Sequence, residues 1–242
     1  MFRHEPVLLE TGGGLKNIED LAADEPLLIY NGDILTSLPL DRLLAAHAAG
    51  GCEVTLALRS SGGPLQVALD PNTGLVRDIR GELFPSNSFP RFLFTGVYVI
   101  SPEFFARLPS GDIFSIIRIF LQMLSGGLPI RGVVLDEGLW MDLGDREAYL
   151  DAHHVLAARH FDPGFPLCEP LQPVHPSAHI APGVILSPAS SVGPNAEVGA
   201  QAEVLDSVLW ECAKIASRAR VERCIVCNHD TITGNHKAID FA

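Results

Sequence analysis

The stretch Val192-Gly193-Pro194-Asn195-Ala196-Glu197-Val198-Gly199-Ala200-Gln201-Ala202-Glu203-Val204 carries an aliphatic residue every six positions. An alanine stands four residues after each of the first two. Upstream the same spacing picks out Leu186, Ile180 and Val174, with Ser190, Val184 and Ala178 in the small position. Downstream the register slips by one residue at Leu209 and resumes at Ile215 and Val221, with Ala213 and Ala219 as the small residues. A second slip of one leads to Val226 and Ile232. A strand alternates its faces every two residues, and an α-helix repeats every 3.6, so neither gives a period of six. That period belongs to a parallel β-helix, in which three hexads close one coil and the aliphatic residues stack inward. About three coils fit between Val174 and Ile232, and the repeat is bounded at residues 174–236.

Ahead of the repeat, the proline-rich residues 161–173 read as a linker. Residues 1–160 form a separate domain of alternating strand-like and helix-like segments. Residues 6–9 read as a short strand entering a glycine turn, 15–21 as a helix, 40–47 as a helix and 53–58 as a strand. Residues 64–80 read as two strands around the Asp70-Pro71-Asn72-Thr73-Gly74 turn, and 92–100 as a buried strand. A helix is expected from Ser101-Pro102-Glu103, with serine as N-cap and proline at the first position. Another is expected over 113–124. Such alternation predicts an α/β domain with a mostly parallel sheet. Within it, Leu27-Leu28-Ile29-Tyr30-Asn31-Gly32-Asp33 is an apolar run that stops on a small residue and a carboxylate. Runs of this kind suit strands covered on both faces. Ligands of open α/β sheets lie beyond the carboxyl ends of their strands, which makes Asp33 a candidate ligand contact.

Four segments in one order give a more specific reading. They are Leu9-Glu10-Thr11-Gly12-Gly13-Gly14, Asn31-Gly32-Asp33, Phe94-Thr95-Gly96-Val97-Tyr98-Val99 and Trp140-Met141-Asp142-Leu143-Gly144. In this order and spacing, from about residue 5 to 153, the chain resembles the sugar-phosphate nucleotidyltransferases. The resemblance implies a Rossmann-like nucleotide-diphospho-sugar transferase domain followed by a left-handed parallel β-helix. It implies transfer of a nucleotidyl group from GTP or UTP to a sugar 1-phosphate, with release of pyrophosphate. Both reactants are anions, and an oxygen-ligated Mg²⁺ suits that chemistry. By resemblance, Asp33 and Asp142 are the catalytic carboxylates and hold the metal. Thr11, Gly12, Gly13, Gly14, Asn31 and Gly32 lie on the nucleotide side. Thr95, Gly96 and Glu82 lie on the sugar-phosphate side. Guanylyl transfer to mannose 1-phosphate is the leading form, because a β-helix follows the transferase domain. Uridylyl transfer stands close behind, from the Glu10-Thr11-Gly12-Gly13-Gly14 form.

Two departures from the family pattern matter. The stretch Asp78-Ile79-Arg80-Gly81-Glu82-Leu83 lacks the lysine of the family's Glu-Lys-Pro-like segment, leaving Arg80 and Glu82 as substitutes. The Gly-rich, arginine-bearing loop that wraps the triphosphate in the family has no counterpart before Pro6. The first domain is therefore expected to be incomplete at its N-terminal side and impaired in activity.

A formal net charge of −12 excludes nucleic acid as a partner, since a phosphate backbone would be repelled. No apolar run is long enough for a membrane span. Cys52, Cys168, Cys212, Cys224 and Cys227 are odd in number and scattered, which points to a reducing cytoplasm rather than a disulfide framework. Cys224, Cys227 and His229 lack a second cysteine pair for a zinc site, and Val226 between them keeps the repeat register. Two readings of other classes remain open. One is a non-catalytic nucleotide-sugar-binding subunit whose β-helix drives homo-oligomerisation. The other is an acyltransferase using His175 or His179 as a base.

Overall fold

The computed structural model describes residues 3–22, 24–84, 88–158 and 172–242. Most of the expected linker, residues 161–171, lies outside them. The chain divides into two compact units, Met1–Trp140 and Met141–Ala242.

The first unit begins with α1 (Glu10–Asn17), β1 (Leu27–Tyr30), β2 (Ile34–Thr36), α2 (Leu40–Gly50) and β3 (Val54–Arg59). The hairpin β4 (Val67–Asp70) and β5 (Leu75–Ile79) follows, then β6 (Arg91–Ile100), α3 (Ile116–Ser125) and β7 (Arg131–Val134). Six strands form one sheet in the order β1-β6-β3-β7-β5-β4. The expectation of a mostly parallel sheet is corrected here. Among its described pairings only β3–β7 is parallel, while β6 runs against β1, β3 and β4. The cause is β6, ten residues long and mostly apolar or aromatic, which lies between β1 and β3. Two strands antiparallel to β6 are parallel to each other, so β1, β3 and β7 share one direction. Their carboxyl ends lie along one edge, together with the start of β6.

A second correction concerns β1. It is an edge strand whose alternate residues face outward, leaving Leu28 37% and Tyr30 40% exposed. The four-residue apolar run was too short to distinguish this from a strand covered on both faces. The core lies on the other strands, where Tyr98 meets Phe120 edge to face at a centroid distance of 5.5 Å.

Local structure departs from expectation in two further places. Residues 6–9 form no strand, and the glycines lie inside α1 rather than in a turn. Helix and loop here are fixed by tertiary contacts: Gly12 and Gly13 are buried, and both N–H groups donate to the Phe114 carbonyl. After Ser101 the chain makes a 3-10 turn, Pro102–Arg107, not an α-helix. The Ser101 hydroxyl does not cap it. It pairs instead with Nε2 of buried His47 at 3.1 Å.

The second unit starts within β8 (Trp140–Asp142), continues with α4 (Arg146–Ala158) and ends in the parallel β-helix. Three four-stranded parallel faces form the β-helix. Val192, Val198, Val204, Leu209, Ile215, Val221, Val226 and Ile232 are all buried in its core, with Ala196, Ala202, Ala213 and Ala219 between them. The coil continues past Ile232, pairing Val226 with Phe241. Both register slips fall at the same corner, where Asp206 and Arg223 adopt left-handed backbone with φ of 46° and 50°. Helix α4 runs along this corner: Arg146 pairs with Asp240 at 2.7 Å, Arg223 with Asp151 at 3.1 Å and His154 with Asp206 at 3.7 Å.

Candidate active site

The edge where β1, β3 and β7 end is the place a doubly wound sheet offers to a ligand. Asn31 follows β1 directly, and its N–H donates to the Gly96 carbonyl at 3.1 Å. Gly96 sits in a bulge of β6, between the pairs Leu58–Phe94 and Leu56–Tyr98, with φ of +77°. A Cβ at Gly96 would stand 2.9 Å from the side-chain nitrogen Nδ2 of Asn31. Glycine is required at this position both for the left-handed backbone and for the space that Asn31 fills.

Asn31, Thr11, Gln66, Arg80, Phe94 and Ser115 all line one cavity of about 240 Å³ against the β6 face. Residues from three of the four segments singled out in the sequence therefore meet at one cavity of the first unit. The Thr11 hydroxyl accepts the Ile116 N–H at 3.0 Å, which leaves its own hydrogen free to donate. Arg80 has φ of +61° and directs Nε at Gln66 Oε1, 3.3 Å away. Tyr98 forms part of the wall, and burial pushes its phenol pKa up, so it stays neutral at any physiological pH.

The other residues singled out take different places. Thr95 is fully buried; its hydroxyl donates to the Ala57 carbonyl and accepts the Val97 N–H, and its carbonyl receives the Trp140 indole at 2.9 Å. Its contribution is to hold the bulge, since no part of the hydroxyl faces solvent. Gly12 and Gly13 are packed against Phe114 and Asp112, with Gly14 beside the Glu5 carboxylate. Gly32 is open, with nothing within 4 Å of a Cβ placed there. Asp33 is exposed on the same turn, and Glu82 is exposed beyond β5. In the second unit, Asp142 is exposed on β8 and accepts the Gly144 N–H at 2.9 Å, while Asp145 caps α4 through Ala148.

At the same edge Asp136 accepts both the N–H and the hydroxyl of Ser60, at 2.8 and 2.7 Å. Those bonds hold its carboxyl below the usual range. They also brace the Ser60–Gly63 loop. Gln66, Ser115 and Asp136 escaped the sequence reading because each lies outside a recognisable motif. The one available signal was their position just past, or just before, an apolar strand or helix.

These features define an α/β unit with a ligand edge, followed in the chain by a β-helix. Residues 169–239 match the family model described as the GMPPB C-terminal domain. The chain is similar to the mannose-1-phosphate guanylyltransferase of Mycobacterium tuberculosis, 29% identical over 148 residues, covering 59% of the chain and 40% of the relative. It is similar to the N-acetylmuramate alpha-1-phosphate uridylyltransferase of Caulobacter vibrioides, 32% identical over 160 residues and 62% of each. The mannose-1-phosphate guanylyltransferase catalytic subunit beta of Dictyostelium discoideum is 26% identical over 155 residues, 62% of the chain and 42% of the relative. The solved inositol-1-phosphate CTP transferase from T. maritima aligns with a TM-score of 0.49 and 14% identity over 60% of each chain. The resemblance to sugar-phosphate nucleotidyltransferases stands on the family-model match and the curated relatives. The chain spans about two-fifths to three-fifths of the length of these curated relatives. No helix among the described residues is long and apolar enough to cross a membrane.

Proposed function

We propose that the chain serves nucleotidyl transfer to a sugar 1-phosphate, with the cavity at the carboxyl edge of the first unit as its ligand pocket and Thr11 and Asn31 on its nucleotide side. The observation that carries this reading is the meeting of Thr11, Asn31 and the Gly96 bulge around one cavity. The amide and hydroxyl of Asn31 and Thr11 are neutral donors and acceptors suited to a nucleotide, and the Gln66 amide is suited to sugar hydroxyls. Arg80 supplies the positive charge that the missing family lysine would have given. Gly32 permits close approach of the ligand to the backbone.

Asp33 and Asp142 are the carboxylates we assign to Mg²⁺, from the resemblance. The donor set suits the ion: both are exposed carboxylates, and Mg²⁺ takes one or two of these with water and phosphate oxygens. No hydrogen bond or ion pair engages Asp33 among the described residues, and Asp142 uses one oxygen on Gly144. Bound there, Mg²⁺ would offset phosphate charge as it develops. The chain's own contribution is to orient the nucleotide through Thr11 and Asn31 and the sugar phosphate through Gln66 and Arg80.

Mannose 1-phosphate with GTP is the preferred pair, since relatives of the chain are named mannose-1-phosphate guanylyltransferases. Uridylyl transfer is the second reading, favoured by the relative that is 32% identical. Calorimetric titration of the full chain with GDP-mannose and with a UDP-hexose, in Mg²⁺, tests both. Gly32→Ala should leave folding unchanged, because its Cβ meets nothing within 4 Å, and should weaken binding about tenfold or more. Absence of binding by either nucleotide sugar overturns the proposal.

A further inference from the structure

The corner where the six-residue register slips is also where α4 is held. Arg223 meets the helix with both backbone and side chain. Its carbonyl oxygen accepts the Arg146 guanidinium, and its own guanidinium donates to the Glu147 and Asp151 carboxylates. Asp206 stands one coil before Arg223, since Leu205 pairs with Glu222, and it lies 3.7 Å from His154. Asp240 pairs with Ile225 one coil further on, and it accepts Arg146 Nε at 2.7 Å. The two repeats match in length. Successive coils are about 4.8 Å apart, and three residues of an α-helix advance about 4.5 Å. Asp151 and His154, three residues apart on α4, thus meet Arg223 and Asp206, one coil apart. Leu150 and Ala152 of the same helix are buried, so α4 is packed as well as paired.

Asp142 lies at the start of this helix. Only Leu143, Gly144 and Asp145 separate it from Arg146. That short span is itself pinned. Asp142 accepts the Gly144 N–H at 2.9 Å, the Asp145 carboxylate accepts the Ala148 N–H at 2.8 Å, and the Asp145 carbonyl accepts the Tyr149 N–H at 3.0 Å. Little slack remains between the coil corner and Asp142. An isolated exposed ion pair would hold a helix weakly. Here Arg146 and Arg223 share Glu147 and add Asp151, Asp240 and a backbone carbonyl, so displacing the start of α4 breaks several bonds together. We propose that the β-helix positions a metal carboxylate: Arg223 and Arg146 are positioning residues that fix α4 and, through it, Asp142. The proposal rests on the assignment of Asp142 to Mg²⁺. It gives the β-helix a part in metal binding as well as in self-association. Groups that orient metal ligands change metal affinity by about 10–100-fold when removed.

The test is titration of the full chain with Mn²⁺ in the presence of GDP-mannose, read by electron paramagnetic resonance, together with amide exchange along α4. Arg223→Gln should weaken Mn²⁺ about tenfold, the lower end of that range, and speed exchange at Ala148 and Tyr149. Arg223→Lys should recover part of the affinity, because an ammonium on a flexible stem replaces a planar fork that bridges two carboxylates. Glu147→Gln combined with Asp151→Asn leaves the coil corner intact and should reproduce the loss, whether or not Arg223→Gln folds. A role confined to stability would lower the melting temperature and leave the Mn²⁺ affinity of the folded protein unchanged, and that result overturns the proposal. Asp142→Asn separates the two readings. If it weakens Mn²⁺ while the Arg223 and α4 variants do not, positioning alone fails. If Asp142→Asn has no effect, the metal assignment fails and the positioning role with it.

Discussion

Gly12→Ala decides whether the first glycine of the Gly12-Gly13-Gly14 run is there for packing. Gly12 lies within α1, and in a helix interior Ala is better than Gly by about 0.5–1 kcal/mol. Propensity alone therefore makes the substitution stabilising. The contacts reverse that sign. The new Cβ would stand 2.3 and 2.4 Å from two ring carbons of Phe114 and 2.8 Å from its carbonyl oxygen. Phe114 is only 3% exposed, so its ring has little room to turn. The alternative is for α1 to lift away, which stretches the bonds from Gly12 and Gly13 to the Phe114 carbonyl, at 2.8 and 3.3 Å. Overpacking of this kind costs about 1–3 kcal/mol, and each weakened hydrogen bond adds about 0.5–1.5. After the propensity gain, a net loss of roughly 1–3 kcal/mol remains. Urea unfolding monitored by far-ultraviolet circular dichroism gives the number. Phe114→Leu in the same chain should recover part of the loss, with a coupling of about 1 kcal/mol. A Gly12→Ala protein as stable as wild type, or more so, would refute the packing argument.

In the β-helix, Val192→Asp places a carboxylate in an aliphatic stack where the valine is 2% exposed, and should cost several kcal/mol, read as a lower melting transition of the second unit. His47, buried between the Thr55 and Ser101 hydroxyls, has its pKa lowered by burial. The stability it contributes is complete above about pH 6.5 and is lost as pH falls through the lowered folded-state value. Melting curves from pH 7.5 down to about 5 should show this loss, and His47→Gln should flatten it. The chain is expected to self-associate through its β-helix, where Ile185 and Trp210 are 55% and 50% exposed; light scattering showing a monomer at micromolar concentration counts against it.

The β-helix was legible because its determinant is local and repeated. Each inward residue, from Val192 to Ile232, is fixed by its own spacing, and a single misfit would not hide the rest. The slips at Leu209 and Val226 were visible as numbers. Their common place, the one corner that holds Asp206 and Arg223, required the coil to be seen closed. The first unit was less legible. Strand β6 was placed from its apolar run, yet nothing in that run says it lies antiparallel between β1 and β3. The glycine run invited a turn because glycine is weak in helices, and the Phe114 carbonyl that recruits Gly12 and Gly13 lies about a hundred residues away. The pocket was half visible. Asn31 and Gly96 stand in recognisable segments, whereas Gln66 and Ser115 reach the pocket only through sheet register and helix position.

The proposal that matters most, drawn from the resemblance, is that Asp33 and Asp142 are metal-binding carboxylates. Mn²⁺ substitutes for Mg²⁺ at oxygen sites and is visible by electron paramagnetic resonance. Titration of the full chain with Mn²⁺ in the presence of GDP-mannose measures the occupancy directly. The account predicts one tightly held ion per chain in wild type, with binding weakened at least about tenfold by Asp33→Asn and again by Asp142→Asn. An affinity unchanged by either substitution, in a protein that still binds the nucleotide sugar, would contradict it.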